Sequence, residues 1–184
     1  PSSLVNLLID EILWPGHALG RDIAGSKESM AAITRDSILE YLNQQYSPGN
    51  TVVSLAGNIK HQEAVDMVSQ ATSGWTNRRP RPKYLPYKEE PNPRLLIEKK
   101  DTEQAHLCLA LPGLSLFDPR RYALDLLNVI LGEGMSSRLF IEIRDKRGLA
   151  YSIGSYVDHL LDSGSMTVYA GVEPKNLSVT IRAI

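Results

Sequence analysis

Apolar positions recur every three or four residues at the start of the chain. Leu4, Leu7, Leu8 and Ile12 fall on one helical face, and Trp14-Pro15-Gly16 stops the run. After a long loop, Thr34 is placed to cap a helix over 35 to 46, whose Ile38, Tyr41, Leu42 and Tyr46 form one stripe, and Ser47-Pro48-Gly49-Asn50 reads as a turn. Thr51 to Gly57 is rich in β-branched residues and short enough for a buried strand; the helix after it turns Ala64, Val65, Val68 and Ala71 inward.

Farther along, Leu95-Leu96-Ile97-Glu98 and Ala105 to Leu111 read as two strands. Asp118 followed by Pro119 opens a helix lined by Tyr122, Ala123, Leu126, Leu127 and Ile130 that reaches Gly132. A second helix starts near Ser136 or Ser137, carries Leu139, Phe140 and Ile143, and ends at Gly148. Two strands complete the order. In the first, Leu149, Tyr151, Ile153 and Val157 share a face; in the second, Met166, Val168, Ala170 and Val172 do, and the two are expected to pair antiparallel. The fold class that follows is α+β, helices on one side of a largely antiparallel sheet.

The 184 residues are 42% apolar and 22% charged, a globular balance that excludes a collagen, a disordered tail or a coiled coil. Charge is unevenly spread: the formal net is −4 over residues 1–75, +5 over 76–100 and −2 over 101–184. The basic middle holds Arg78, Arg79 and Arg81 among Pro80, Pro82, Pro86, Pro91 and Pro93, and proline fixes φ and favours extended neighbours, so 76–93 is expected to be an exposed connector between two folded parts. No aromatic platform interleaves those arginines, which favours a solvated linker over a nucleic-acid arm. No apolar run approaches the ~18 residues of a membrane span. Cys108 is the one cysteine, so no internal disulfide or cysteine zinc cluster is possible, and a reducing, cytoplasmic setting is expected. The chain opens at Pro1 and stops at Ile184 inside the amphipathic run Val179, Ile181, Ile184, so both ends read as cut.

Candidate chemistry narrows quickly. The four histidines, His17, His61, His106 and His159, form no pair on a helix face, so no catalytic metal is expected in this segment; His106 and Cys108 share a strand face but sit among aliphatics. Gly-x-Ser-x-Gly is absent and Cys108 reads as inert packing. Leu131 to Ser137 is glycine-rich and leads into a helix, but lacks the lysine of a phosphate-binding loop, so a helix stop followed by a serine cap accounts for it. Residues 141–152 are harder to dismiss. Arg144, Lys146 and Arg147 at a helix carboxyl end offset the macrodipole, which is a structural reason for their presence. Alternatively, Arg144 and Tyr151 form a donor pair able to bind a peptide carbonyl or a developing oxyanion.

Residues 132–152, Gly-Glu-Gly-Met-Ser-Ser-Arg-Leu-Phe-Ile-Glu-Ile-Arg-Asp-Lys-Arg-Gly-Leu-Ala-Tyr-Ser, resemble the signature of the second half of the pitrilysin, insulinase and mitochondrial processing peptidase family. Leu13 to Arg21, Gly25, and Leu42 to Gly57 resemble the later part of that family's first half, so the likeness runs along essentially the whole chain. It implies a metallohydrolase clamshell of two homologous α/β-layer units, each incomplete here: 1–75 as the end of the first, 76–93 as the linker, 94–184 as the start of the second. It also implies a zinc-dependent endopeptidase acting on unfolded or extended peptides, whose zinc ligands, an inverted His-x-x-Glu-His motif and a downstream glutamate, lie upstream of Pro1. Arg144 and Tyr151 match the arginine and tyrosine that face the zinc, with Arg147 as the fallback arginine. The loop of Gly132, Gly134, Met135 and Ser136 matches a substrate-handling loop. The partners implied are a peptide, the remainder of the protein, and a second or related subunit, with no nucleic acid or membrane. The alternatives are a non-catalytic partner subunit or structural relative, and a free-standing binding module.

Overall fold

The computed structural model describes residues 2–76, 85–88 and 94–184, which divide into two compact units. Most of the connector, with Arg78, Arg79 and Arg81, lies outside the described residues.

The smaller unit, Ala24–Leu85, is helical among its described residues: α2 (Lys27–Ala31), α3 (Arg35–Gln45) and α4 (His61–Ala71). Thr34 caps α3 as expected, through a reciprocal pair in which Ser37 N donates to Thr34 Oγ1 (3.1 Å) and Thr34 N donates to Ser37 Oγ (3.0 Å). Two expectations fail here. Thr51 to Gly57 forms no strand, and Val52 is 94% exposed, because no described segment runs alongside to accept and donate its ladder bonds. The stripe Ile38, Tyr41, Leu42, Tyr46 is exposed, and of the four inward residues expected on α4 only Ala64 is buried.

The larger unit combines residues 1–23 with 86–184. Helix α1 (Ser2–Leu13) packs against the sequence-distant sheet and against the short turn Ala18–Gly20 that follows it. The sheet has three antiparallel strands, β1 (Ala105–Pro112), β2 (Ala150–His159) and β3 (Gly164–Val172), in the order β1-β3-β2. Central β3 is the most buried, and its Val168, Ala170 and Val172 join Leu107, Ala150, Leu139 and Ile143 in the core on one face. That face carries α5 (Arg121–Gly132) and a π-helical segment, Phe140–Lys146. On the other face α1 meets the sheet: Asn6 Oδ1 accepts from Cys108 Sγ (3.4 Å) and from Tyr156 OH (3.1 Å). Burial pushes the Cys108 thiol up to about 11, so it stays protonated at neutral pH and packs, as the sequence indicated. Helix α6 (Leu177–Ala183) ends the chain.

The α+β class and the antiparallel β2-β3 pair are as expected. Leu95 to Glu98 is not a strand; Leu95 is 83% exposed and has no described neighbour to pair with. Helix α5 buries Asn128 and Gly132, while the expected stripe of Tyr122, Leu126, Leu127 and Ile130 faces outward. Among the described residues no helix is long and apolar enough to cross a membrane.

Candidate active site

The segment that follows the glycine-rich loop is anchored by Leu139 and the fully buried Ile143. It winds as a π-helix, a geometry with wider turns that recurs at functional positions. Gly148 ends it at φ +60°, a left-handed conformation that suits glycine, with Gly148 N donating to Arg144 O (3.1 Å) and Leu149 N to Ile143 O (3.0 Å). The chain thus reverses at once into β2.

At the start of β2 the register slips. Ala150 pairs with Val172 and Ser152 with Gly171, which leaves Tyr151 as the extra residue of a β-bulge. Ala150 takes the core position, and Tyr151 is 75% exposed. Tyr151 therefore does not share a face with Ile153 and Val157 as plain alternation suggests. The bulge re-aims its side chain toward the helix end.

There it meets Arg144. The guanidinium carbon lies 4.7 Å from the Phe140 ring centroid and 5.4 Å from that of Tyr151. The other two cations of this helix end are engaged elsewhere: Glu142 accepts from Arg147 Nε (3.0 Å) and Nη2 (2.7 Å), and from Lys146 Nζ (3.1 Å). Those bonds, Arg147's first, hold the Glu142 carboxyl below its usual value. Arg144 has no carboxylate partner among the described residues; its charged contacts are with the two rings, and its N–H fork keeps its donors. Of the two candidate arginines, Arg147 has its Nε and Nη2 committed to Glu142, and Arg144 has no such ion pair among the described residues. A cavity of about 380 Å³ opens beside Arg144 and Tyr151, with Gln104, Gly171, Glu173 and Asn176 also on its wall.

The glycine-rich loop is held at a different place on β2. Gly132 is buried, and a Cβ there would collide with Ser155, so the close approach of loop and strand requires glycine. Asn128 on α5 ties the two together: Ser155 Oγ donates to Asn128 Oδ1 (2.7 Å), and Asn128 Nδ2 donates to Glu133 Oε2 (3.2 Å). Gly134, at φ +85°, Met135 and Ser136 are exposed beyond this anchor and do not line the cavity of Arg144 and Tyr151. The hydroxyl of Ser137 is buried and makes no capping bond. Sequence reading missed Phe140 as a neighbour of Arg144, although their i, i+4 spacing signals it, and missed Asn128 and Glu133, whose pairing depends on how the loop folds back.

A zinc site does not fit the described residues of this chain. No three His, Cys, Asp or Glu side chains among them converge. His106 Nδ1 is bonded to Tyr169 OH (2.8 Å), and His159 to Leu114 O (2.6 Å) and Asp125 Oδ1 (2.9 Å).

Compared with known proteins, residues 32–184 match the family described as Peptidase M16 inactive domain. The chain belongs to the peptidase M16 family. This M16 chain is 37% identical over 189 residues to an uncharacterized zinc protease of Bacillus subtilis, YmxG, covering 99% of the chain and 44% of that protein. It is 39% identical over 184 residues to an uncharacterized zinc protease of Streptomyces coelicolor, covering 96% and 40%. It thus spans less than half the length of these relatives. Among solved structures, the peptidase M16 inactive domain from Pseudomonas fluorescens is 26% identical with a TM-score of 0.79, over 98% of this chain and 45% of that one. The same fold occurs within larger assemblies and chains: Complex III2 from Candida albicans (TM-score 0.78) and the periplasmic protease PqqL from Escherichia coli (0.75), of whose chains it covers 43% and 20%.

Proposed function

We propose that this M16 chain is the substrate-positioning part of a zinc-dependent metalloendopeptidase that cleaves unfolded or extended peptides, with the zinc held by residues outside this sequence. The observation that carries the reading is the unspent guanidinium of Arg144 beside the bulge-lifted Tyr151, on the wall of one cavity. Arg144 donates N–H to the carbonyl oxygen of the bound peptide and holds it in register. Tyr151 donates its phenolic O–H to the same oxygen, and that bond strengthens as the oxygen gains negative charge. In this reading Gly134, Met135 and Ser136 contact the peptide farther along, on the loop that Asn128 fixes, and residues 1–75 and 94–184 belong to two homologous halves joined by 76–93. Support comes from the relatives named as zinc proteases.

The test is kinetic, on the complete gene product with an internally quenched fluorogenic peptide. Arg144→Ala is expected to raise KM, and Tyr151→Phe to lower kcat. A second reading, a non-catalytic partner subunit, draws on the family description as an inactive domain. A complete protein that binds no zinc at one equivalent and cleaves no peptide selects that reading.

A further inference from the structure

Arg144 sits on an exposed helix end with no carboxylate to orient it among the described residues, and a long side chain in that setting samples many rotamers. Its donors are useful to a substrate only if the guanidinium plane is fixed before binding. A carboxylate would fix it but would take up part of the N–H fork, as Glu142 takes Nε and Nη2 of Arg147. An aromatic face fixes the plane and leaves the N–H edge free.

We propose that Phe140 is the positioning residue of this site: its ring holds the Arg144 guanidinium from one side, at 4.7 Å, while Tyr151 approaches from another, at 5.4 Å. Phe140 is half-buried and four residues before Arg144, on the segment whose Leu139 and Ile143 are buried in the core. It does not line the cavity and acts only through Arg144. This inference rests on the reading of Arg144 and Tyr151 as substrate donors.

The experiment uses the complete gene product and the same fluorogenic peptide, with Phe140→Leu, Phe140→Tyr, Arg144→Ala and the double variant Phe140→Leu/Arg144→Ala. Phe140→Leu is expected to lower kcat/KM by about 3- to 30-fold, the range a cation–π contact converts to, mainly through KM. Phe140→Tyr keeps a ring and is expected to stay within about 2-fold of wild type. In the Arg144→Ala background, Phe140→Leu is expected to add nothing, because the group it positions is gone. Melting temperatures separate this from a folding defect, and Phe140→Met replaces the leucine variant if the latter does not fold. Wild-type activity in Phe140→Leu, or the same loss with and without Arg144, overturns the role of Phe140 alone. Wild-type activity in both Arg144→Ala and Tyr151→Phe overturns the donor reading beneath it.

Discussion

The tie between α5, β2 and the glycine-rich loop runs through two buried side chains, Asn128 (7% exposed) and Ser155 (9%), and its strength can be worked from their bonds. Asn128→Ala removes the acceptor of Ser155 Oγ at 2.7 Å and the donor to Glu133 Oε2 at 3.2 Å. The serine hydroxyl is then left with the backbone oxygen of residue 128 at 3.4 Å, a long and weak acceptor. Losing a hydrogen bond costs about 1 kcal/mol and stranding a buried hydroxyl about 1–3 kcal/mol, while exposed Glu133 rehydrates, so a net destabilisation of about 2–3 kcal/mol is expected. Ser155→Ala strands only Asn128 Oδ1 and should cost about 1–2 kcal/mol. Because both variants break the same bond, the double variant should fall short of the sum by about 1 kcal/mol. Calorimetry of the complete protein reads this directly: Asn128→Ala should lower the transition containing this unit by about 4–12 °C. Strict additivity, to within about 0.3 kcal/mol, would show that the two side chains do not support each other and that the loop is anchored in some other way.

Two further outcomes are expected. His159 donates to Leu114 O and pairs with Asp125, the backbone bond first and then Asp125 raising its pKa, so its contribution to stability is complete below the unfolded value near 6.5 and fades as pH rises through the higher folded value. His159→Gln should therefore lower the melting temperature more at pH 5.5 than at pH 9, and an equal loss at both would contradict the charged pairing. Arg147→Ala breaks an exposed pair with Glu142 and should shift stability by under about 1 kcal/mol while leaving kcat/KM within about 2-fold; a loss of activity matching that of Arg144→Ala would restore Arg147 as the substrate arginine.

Local signals in the sequence were read well where local chemistry decides the outcome. Thr34 caps α3 because its own hydroxyl reaches Ser37, and Gly148 ends the helix before β2 because its own φ allows the turn. Elements that depend on distant partners were not legible in the same way. Thr51 to Gly57 and Leu95 to Glu98 have strand composition, but a strand exists only with a neighbour, and among the described residues neither has one. Helix α5 is apolar on more than one side, so its periodicity named a stripe without saying which stripe the sheet would cover. At the candidate site, residue type offers Arg144 and Tyr151 as a donor pair and the family resemblance matches their spacing, whereas the bulge that separates Tyr151 from the core face is a matter of register with β3. Which cation Glu142 holds is likewise a matter of the folded geometry: it accepts from Arg147 and Lys146 and leaves Arg144 to the two rings.

The central claim is that Tyr151 donates to charge that develops on the peptide oxygen, and Tyr151→Phe in the complete gene product tests it most directly. The substitution removes one oxygen from an exposed ring and leaves the bulge and the ring contact with Arg144 in place. Loss of one such donor is expected to lower kcat by roughly 10²-fold with little change in KM and no change in melting temperature. Turnover of the fluorogenic peptide at the wild-type rate per folded molecule would contradict it, and would leave Tyr151 as a surface residue of an M16 fold.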